Sequence, residues 1–359
     1  MVFITGLPHE IWQLVLNIIP FKSQIRLLQV CQAFHNNLFI TDFYHIDYLD
    51  RLDDDIMMNR PNVIGLRISC DSGIKTINHF IYLQTLCDQN FIITNENIKH
   101  LTNLRKLSVN NNDKITDINH LVNLEKLNAG ERCGINNTGI RNLTNLTELN
   151  IFDNNQITDI NHLIKLKKMN ISGQCGIDDK GITALTNLIK LLAPMNSKIT
   201  NINHLIQSQE LDVSVDCGID DAGIKSLTNL TKLNARMNHK ISDINHLTKL
   251  NVLSAASYCG INDVGIKELT NLIRLYANMN DKITNVNHLI KLKILICSSS
   301  VINDNGIKEI INLIELNAYN NPNITNINHL TQLEKLYASG TCGINDAGIK
   351  DLTHLIRLS

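Results

Sequence analysis

The chain has 359 residues, a formal net charge of −1, 43% hydrophobic residues and 19% charged residues. That is the profile of a globular chain with a sizeable core. The near-neutral balance excludes the electrostatic footprint expected for a nucleic-acid or anionic-membrane partner, so neither is predicted. The opening MVFITGLPHEIWQ lacks a charged n-region, a continuous apolar stretch and a small-residue cleavage site. No run of about 20 apolar residues follows, so the predicted location is cytosol or nucleus.

The first element, residues 7–38, reads LPHEIWQLVLNIIPFKSQIRLLQVCQAFHNNL. Ile11, Leu14, Val15 and Ile18 fall on one face of a predicted helix that Pro8 starts and Pro20 ends. Leu27, Val30, Cys31, Phe34 and Leu38 repeat the helical spacing in a second run. From residues alone this pair can be the cap that shields the first strand of a repeat stack. Residues 43–62 form a linker, and the scatter of Phe43, Ile46, Leu49, Leu52 and Ile56 predicts a capping helix there, with Pro61 at its boundary.

From residue 63 to 359 the chain repeats itself. ITDINHL at 115–121 returns unchanged at 157–163 and with small changes at 199, 241, 283 and 324. The anchor leucines Leu107, Leu127, Leu149, Leu191, Leu211, Leu233, Leu253 and Leu275, with Met169 in one slot, are spaced alternately 20 and 22 apart, a double unit of 42. About 14 such repeats with the pattern L-x-x-L-x-L-x-x-N carry the leucine-rich-repeat signature. The pattern predicts a curved parallel sheet. In LRKLSVNNNDKI, 104–115, the residues Leu104, Leu107 and Val109 alternate inward as a strand, and Asn112 is a buried amide bonding the backbone of the turn. Ile115, Ile118, Leu121 and Leu124 then recur every three residues, which suits a 3₁₀-like convex return. The longer repeats, such as CGINNTGIRNLTNL at 133–146, predict a cap and a short helical turn instead, with pairs such as Asp178-Asp179 and Asp220-Asp221 at the cap. No repeat can bury its apolar face alone, so stacking supplies the core.

Two columns tempt a chemical reading. Cys133, Cys175, Cys217 and Cys259 lie 42 apart, as do His120, His162, His204, His246 and His288. Residues one double unit apart sit about 9–10 Å apart along the sheet, two strand spacings. A disulfide needs less than about 7 Å between Cα atoms, and zinc needs ligands at about 2.0–2.3 Å from one centre. The thiols are therefore expected to be buried and reduced, the histidines to face outward or pack partly. No phosphate loop, HExxH, GxSxG or CxxC is present, so no enzyme, cofactor or metal is predicted.

The N-terminal run now becomes specific. Leu7-Pro8, Glu10-Ile11, Leu14 and Leu16, Pro20, Val30-Cys31 and Phe34 resemble the F-box motif in order and spacing. The C-x-I-x-D-x-G-I repeats are similar to the cysteine-containing repeats of F-box/leucine-rich-repeat proteins. The Asn-, Ile- and Lys-rich repeats resemble such proteins encoded by large DNA viruses. The resemblance covers an F-box-like helical domain at 3–42 and the repeats from 63. It departs at Ser23-Gln24, where the family often carries an acidic residue, and in the 20-residue repeats, which look more like the short class of a phosphatase-regulator family. It implies an α/β leucine-rich-repeat solenoid with a small α-helical F-box-like domain. It further implies a non-catalytic substrate receptor of a Skp–cullin–F-box ubiquitin ligase. Leu7, Pro8, Glu10, Ile11, Leu14, Val15, Val30 and Cys31 would bind a Skp-type adaptor, and through it a cullin.

The repeats would hold a target protein on the concave face. There the side chains are polar early, as at Lys106, Ser108, Lys126 and Asn128. Later they become Val252, Tyr276, Ile294, Ile296, Tyr319 and Tyr337, apolar and aromatic groups that suit a partner surface. The other reading of the whole chain is a repeat scaffold outside any ligase, its N-terminal helices only a cap. The last segment, LIRLS, is one strand into a repeat, an edge expected to be covered by a partner or a second copy, or to belong to a truncated relative.

Overall fold

The computed structural model describes residues 8–19, 21–28, 40–44, 54, 57, 62–68 and 73–359. Two helices come first, α1 at His9–Ile18 and α2 at Phe21–Leu28. Pro8 occupies the N-cap position of α1 at φ −55°, and its carbonyl accepts from the amides of Ile11 at 3.1 Å and Trp12 at 3.3 Å. A proline costs nothing there, because the amide it lacks has no helical partner at that position.

The chain divides into two compact units, Met1–Ile157 and Thr158–Ser359. The first holds strands β1 (Asp42–Phe43), β2 (Gly65–Ile68), β3 (Thr85–Asp88), β4 (Lys106–Ser108), β5 (Lys126–Asn128) and β6 (Glu148–Asn150), each parallel to the one before. The second holds β7 (Lys168–Asn170), β8 (Lys190–Leu192), β9 (Glu210–Asp212), β10 (Lys232–Asn234) and β11 (Val252–Ser254). It continues through β12 (Arg274–Tyr276), β13 (Ile294–Ile296), β14 (Glu315–Asn317), β15 (Lys335–Tyr337) and β16 (Arg357–Leu358). These too are parallel and follow sequence order. The fold is a parallel β-solenoid, with one short strand per coil.

Phe43 departs from the helix predicted over 43–62. It lies in β1, pairs with Leu66 and is buried. A β-branched and aromatic neighbourhood beside an open sheet edge gains a ladder there that a helix would forgo. Of the rest of that segment, Asp54 and Met57 are helical, Met57 fully buried, and Tyr44 and Asn62 lie in turns, while Ile46, Leu49, Leu52, Ile56 and Pro61 lie outside the described residues.

The anchor leucines pair with one another across the strands, as Leu211, Leu233, Leu253 and Leu275 do, and all are buried. Residues on either side of each anchor are partly exposed, the inward–outward alternation a strand imposes. In the short coils Ile115, Ile118, Leu121 and Leu124 are fully buried. Leu121 N bonds Ile118 O and Leu124 N bonds Leu121 O, both at 3.0 Å, so the three-residue period is a chain of 3₁₀-type bonds.

The long coils carry the predicted helical turns: α-helical at Asn137–Ile140, Asp304–Ile307 and Asp346–Ile349, but 3₁₀ at Asp179–Ile182, Ala222–Ile224 and Val264–Ile266. Glycine is required in that turn. A Cβ on Gly223 would collide with the carbonyl of Thr200, and one on Gly265 with that of Ser242. The close approach lets Ile202 N reach Gly223 O at 3.0 Å and Ile244 N reach Gly265 O at 3.1 Å, tying each coil to the next.

Candidate interaction surfaces

The recurrent polar residues do structural work, and the structure divides it among them. Asn112, Asn154, Asn196, Asn238, Asn280 and Asn321 are buried. Asn238 donates to Val213 O at 2.9 Å and Ile219 O at 3.1 Å, and its Oδ1 accepts from Lys240 N at 2.9 Å. Asn154, Asn196, Asn280 and Asn321 repeat the double donation to the preceding coil, and Asn112 does so to Asp88 Oδ2 and Ile93 O.

The histidines are half-buried bridges. Nε2 of His120, His204, His246, His288 and His329 lies 2.9–3.1 Å from the carbonyl of Ile98, Ile182, Ile224, Ile266 and Ile307 respectively. A carbonyl can only accept, so Nε2 carries the proton. Each bond is a second one to its carbonyl, which already accepts from the amide three residues on, as Ile224 O does from Leu227 N at 3.0 Å. The ring thus adds a tie between coils at an acceptor with two lone pairs.

The paired Asx residues split their task. Asp178 accepts from Lys180 N and Gly181 N, as a cap should. Asp179 instead reaches the next coil, where its carboxylate accepts from Thr200 N at 2.8 Å and Thr200 Oγ1 at 2.6 Å. Asp221 and Ser242 repeat that bridge.

Cys133, Cys175, Cys217 and Cys259 are fully buried, and none is in a disulfide. Burial pushes the thiols of Cys133, Cys217 and Cys259 up to about 11. Among the described residues no group of three or more His, Cys, Asp or Glu side chains could hold a metal ion. No helix among them is long and apolar enough to cross a membrane.

Two surfaces remain for recognition. On α1, Leu16 is fully buried while Ile11, Leu14 and Ile18 are 41%, 62% and 82% exposed. Positions 11, 14 and 18 share one helical face, so α1 turns an apolar stripe outward. Pro8 is exposed at its start and Val15 half-buried beside it. Gln24 of α2 is buried and donates to Ile19 O at 3.0 Å, fixing the corner between the helices. Leu7, Val30 and Cys31 lie outside the described residues, as does the side chain of Glu10. Ile18 belongs to the stripe on geometry; its place seven residues after Ile11 is the signal that finds it.

The second surface is the open face of the sheet in the second unit. Register places Ser254, Tyr276, Ile296, Asn317 and Tyr337 in one row and Val252, Arg274, Ile294, Glu315 and Lys335 in the row beside it. Tyr276 and Ile296 are thus neighbours, whereas Arg274 separates Val252 from Ile294 and Asn317 separates Ile296 from Tyr337. Tyr319 is 45% exposed but lies past the end of β14, its ring over Gly340. The guanidinium of Arg357 sits 5.3 Å from the ring centre of Tyr337. A shallow groove of about 380 Å³ runs over β8 to β12, with Leu192, Asp212, Asn234, Val252 and Tyr276 in its lining. At its edge Lys190 and Lys232 flank Glu210 at 3.1 and 2.6 Å. The hydrogen bond from Lys232, then that from Lys190, holds the Glu210 carboxyl below its ordinary value.

Residues 4–39 match the F-box domain family. The chain therefore joins an F-box domain to a leucine-rich-repeat solenoid. In fold it is similar to a leucine-rich-repeat protein of Leptospira interrogans, with a TM-score of 0.60 and 20% identity over 86% of this chain and 98% of that one. It is also similar to an internalin, InlF, of Listeria monocytogenes, with a TM-score of 0.51 and 22% identity over 83% of this chain and 80% of that one. The functional domain of InlJ from the same organism, which includes a cysteine ladder, aligns with a TM-score of 0.57 and 22% identity over 78% of this chain and 64% of that one. At such identities the likeness is one of fold alone. No curated protein matches the chain.

Proposed function

We propose that this chain is a non-catalytic substrate receptor of a Skp–cullin–F-box ubiquitin ligase, acting in the cytosol or nucleus. Its F-box binds a Skp-type adaptor and, through it, a cullin, while the open face of the sheet holds a target protein. The observation that carries the reading is the F-box match at residues 4–39, on which α1 presents Ile11, Leu14 and Ile18 outward. An exposed apolar stripe on a short helix suits helix-against-helix recognition, in which a few apolar anchors supply most of the affinity. The ligase reading asks no chemistry of the solenoid. It raises the effective concentration of a bound target near the conjugating enzyme.

The test is a pull-down of purified Skp adaptor by the full chain and by Leu14→Asp, a site exposed enough to leave folding intact. Capture by the parent and at least tenfold weaker capture by the variant is the expected result. A folded parent that captures no adaptor would leave a repeat scaffold whose N-terminal helices only cap the sheet.

A further inference from the structure

The turn that follows the long-spaced strands recurs every 42 residues with one residue in the left-handed region: Asn111 at φ 61°, Asp153 at 55°, Met195 at 62°, Met237 at 58° and Met279 at 57°, then Asn320 at 52°. Asn and Asp tolerate that backbone because their short polar side chains bond locally; a methionine gains nothing from it. The three methionines are also 52%, 39% and 43% exposed. This slot thus holds a residue that is unfavourable for the backbone and apolar in water, three times in succession, all in the second unit. The other three copies of this slot carry Asn or Asp. Left-handed turns elsewhere in the chain hold residues such as Glu131, Val215 and Tyr258, but it is in this slot that one exposed apolar side chain recurs three times.

On the same unit's open face, Arg274 stands apart. The other cations of its row are engaged: Lys190 and Lys232 with Glu210, Lys335 with Glu315, Arg357 over Tyr337, and Lys168 of β7 too has a partner. Among the described residues of that row only Arg274 has a cationic side chain with no carboxylate or ring partner. Its register neighbours are Val252 and Ile294, and Tyr276 follows on its own strand with Ile296 beside it. Any partner that covers this apolar frame also takes the guanidinium out of water. That is unfavourable unless the partner brings an anion.

We propose that the face centred on β12, with its methionine rim, receives an acidic protein segment in which a carboxylate lies next to large apolar side chains. The carboxylate pairs with Arg274, in the two-point geometry a guanidinium offers. The apolar side chains cover Tyr276 and Ile296 and extend towards Met237 and Met279. Methionine suits that rim because its flexible thioether adapts to irregular partner surfaces. The proposal deepens the target-binding reading and rests on it.

The test selects a displayed library of random twelve-residue peptides on the full chain, and in parallel on Arg274→Glu and on the double variant Met237→Asn, Met279→Asn. Asn is the residue the same turn carries at 111 and 320, so the double variant should fold at least as well as the parent. The expected result is enrichment of peptides with Asp or Glu beside Leu, Phe or Trp. Their amide analogues (Asn or Gln for the acid) should bind at least tenfold more weakly in fluorescence polarisation. Arg274→Glu should lose them and select Lys or Arg peptides instead. The methionine double variant should bind at least fivefold more weakly while its unfolding midpoint stays level or rises. Enrichment without acids, no enrichment, or equal binding by either variant overturns the proposal. So does self-association of the parent that Arg274→Glu abolishes, which would make a second copy the occupant. Adaptor capture is measured on the same preparations. Its loss with peptide selection intact sinks the ligase reading alone, and the converse sinks this proposal alone.

Discussion

Asn238→Leu is the sharpest test of what holds the coils together. Leucine keeps the branch point and the number of heavy atoms while removing every polar group, and its bulkier tetrahedral methyls add some crowding to the lost hydrogen bonds. Asn238 is 1% exposed. Its amide is the hydrogen-bond donor to Val213 O at 2.9 Å and Ile219 O at 3.1 Å, and its oxygen accepts from Lys240 N at 2.9 Å. Leaving a buried polar group unsatisfied costs about 1–3 kcal/mol. The two carbonyls are buried, while Lys240 N lies near the surface where water can replace the lost acceptor, so the sum is about 2–6 kcal/mol. Urea unfolding followed by circular dichroism reads the loss as a lower midpoint. A solenoid is held by nearest-neighbour terms and can open locally, so hydrogen exchange should accompany it, with faster exchange at Lys240 and in the coil from Val213 to Ile219. Asn128, half-buried on the open face and bonded to Ser108 Oγ at 3.1 Å, is the control: its leucine variant should stay within about 0.5 kcal/mol of the parent. A loss below about 1 kcal/mol for Asn238→Leu, or one equal to that of Asn128→Leu, would refute the ladder as the main polar link between coils.

The thiols predict an alkaline weakness. Cys133, Cys217 and Cys259 are raised by burial from 9.0 to about 11 in the folded chain. A raised acid gives stability that is fully present below pH 9 and is lost as pH climbs towards 11, at about 1.4 kcal/mol per thiol per pH unit. The urea midpoint under reducing conditions should therefore fall between pH 9 and 10.5, and the fall should be shallower in Cys217→Ala, Cys259→Ala. Parallel pH profiles for parent and variant would count against it. His246→Phe removes the donor to Ile224 O, 3.1 Å away, and should cost about 0.5–1.5 kcal/mol. Faster hydrogen exchange in the helical turn Ala222–Ile224 checks this, and unchanged exchange there would show the bond to be incidental.

The architecture was legible because its rule is local. Leu107, Ile115, Ile118, Leu121 and Leu124 are buried where their spacing put them, and Asn112 bonds its own turn by accepting from Lys114 N at 2.9 Å. What the sequence hid are contacts made between coils. His246 meets a carbonyl 22 residues earlier, and Asp179 meets an amide 21 residues later. Both partners are backbone groups, which leave no mark in the side-chain pattern. Phe43 leaves its helical spacing for a related reason, since β2 offers it a ladder with Leu66. The left-handed methionines were invisible because nothing in a methionine announces φ > 0; only the Asn and Asp in the matching copies hint at the turn.

The periodic residues and the recognition residues separate for a physical reason. A residue that repeats with the coil answers a demand every coil makes, whether core filling, turn satisfaction or bridging: the Cys column fills core, and the His, Asn and second Asx columns bond a neighbouring coil. A partner makes its demand at one place only. It must be met by residues that break the period: the α1 stripe of Ile11, Leu14 and Ile18, the unpaired Arg274, and Tyr276 where earlier coils carry Asn234 and Ser254. Methionine at 195, 237 and 279 sits between these cases. It keeps the period but changes the chemistry of the slot from polar to apolar, and only in the second unit. A surface built this way can exchange its partner by changing a few aperiodic side chains while every inter-coil bond stays in place. Recognition on this scaffold should therefore tolerate substitution far better than folding does, and the two classes of variant, Arg274→Glu and Asn238→Leu, should fail in opposite assays.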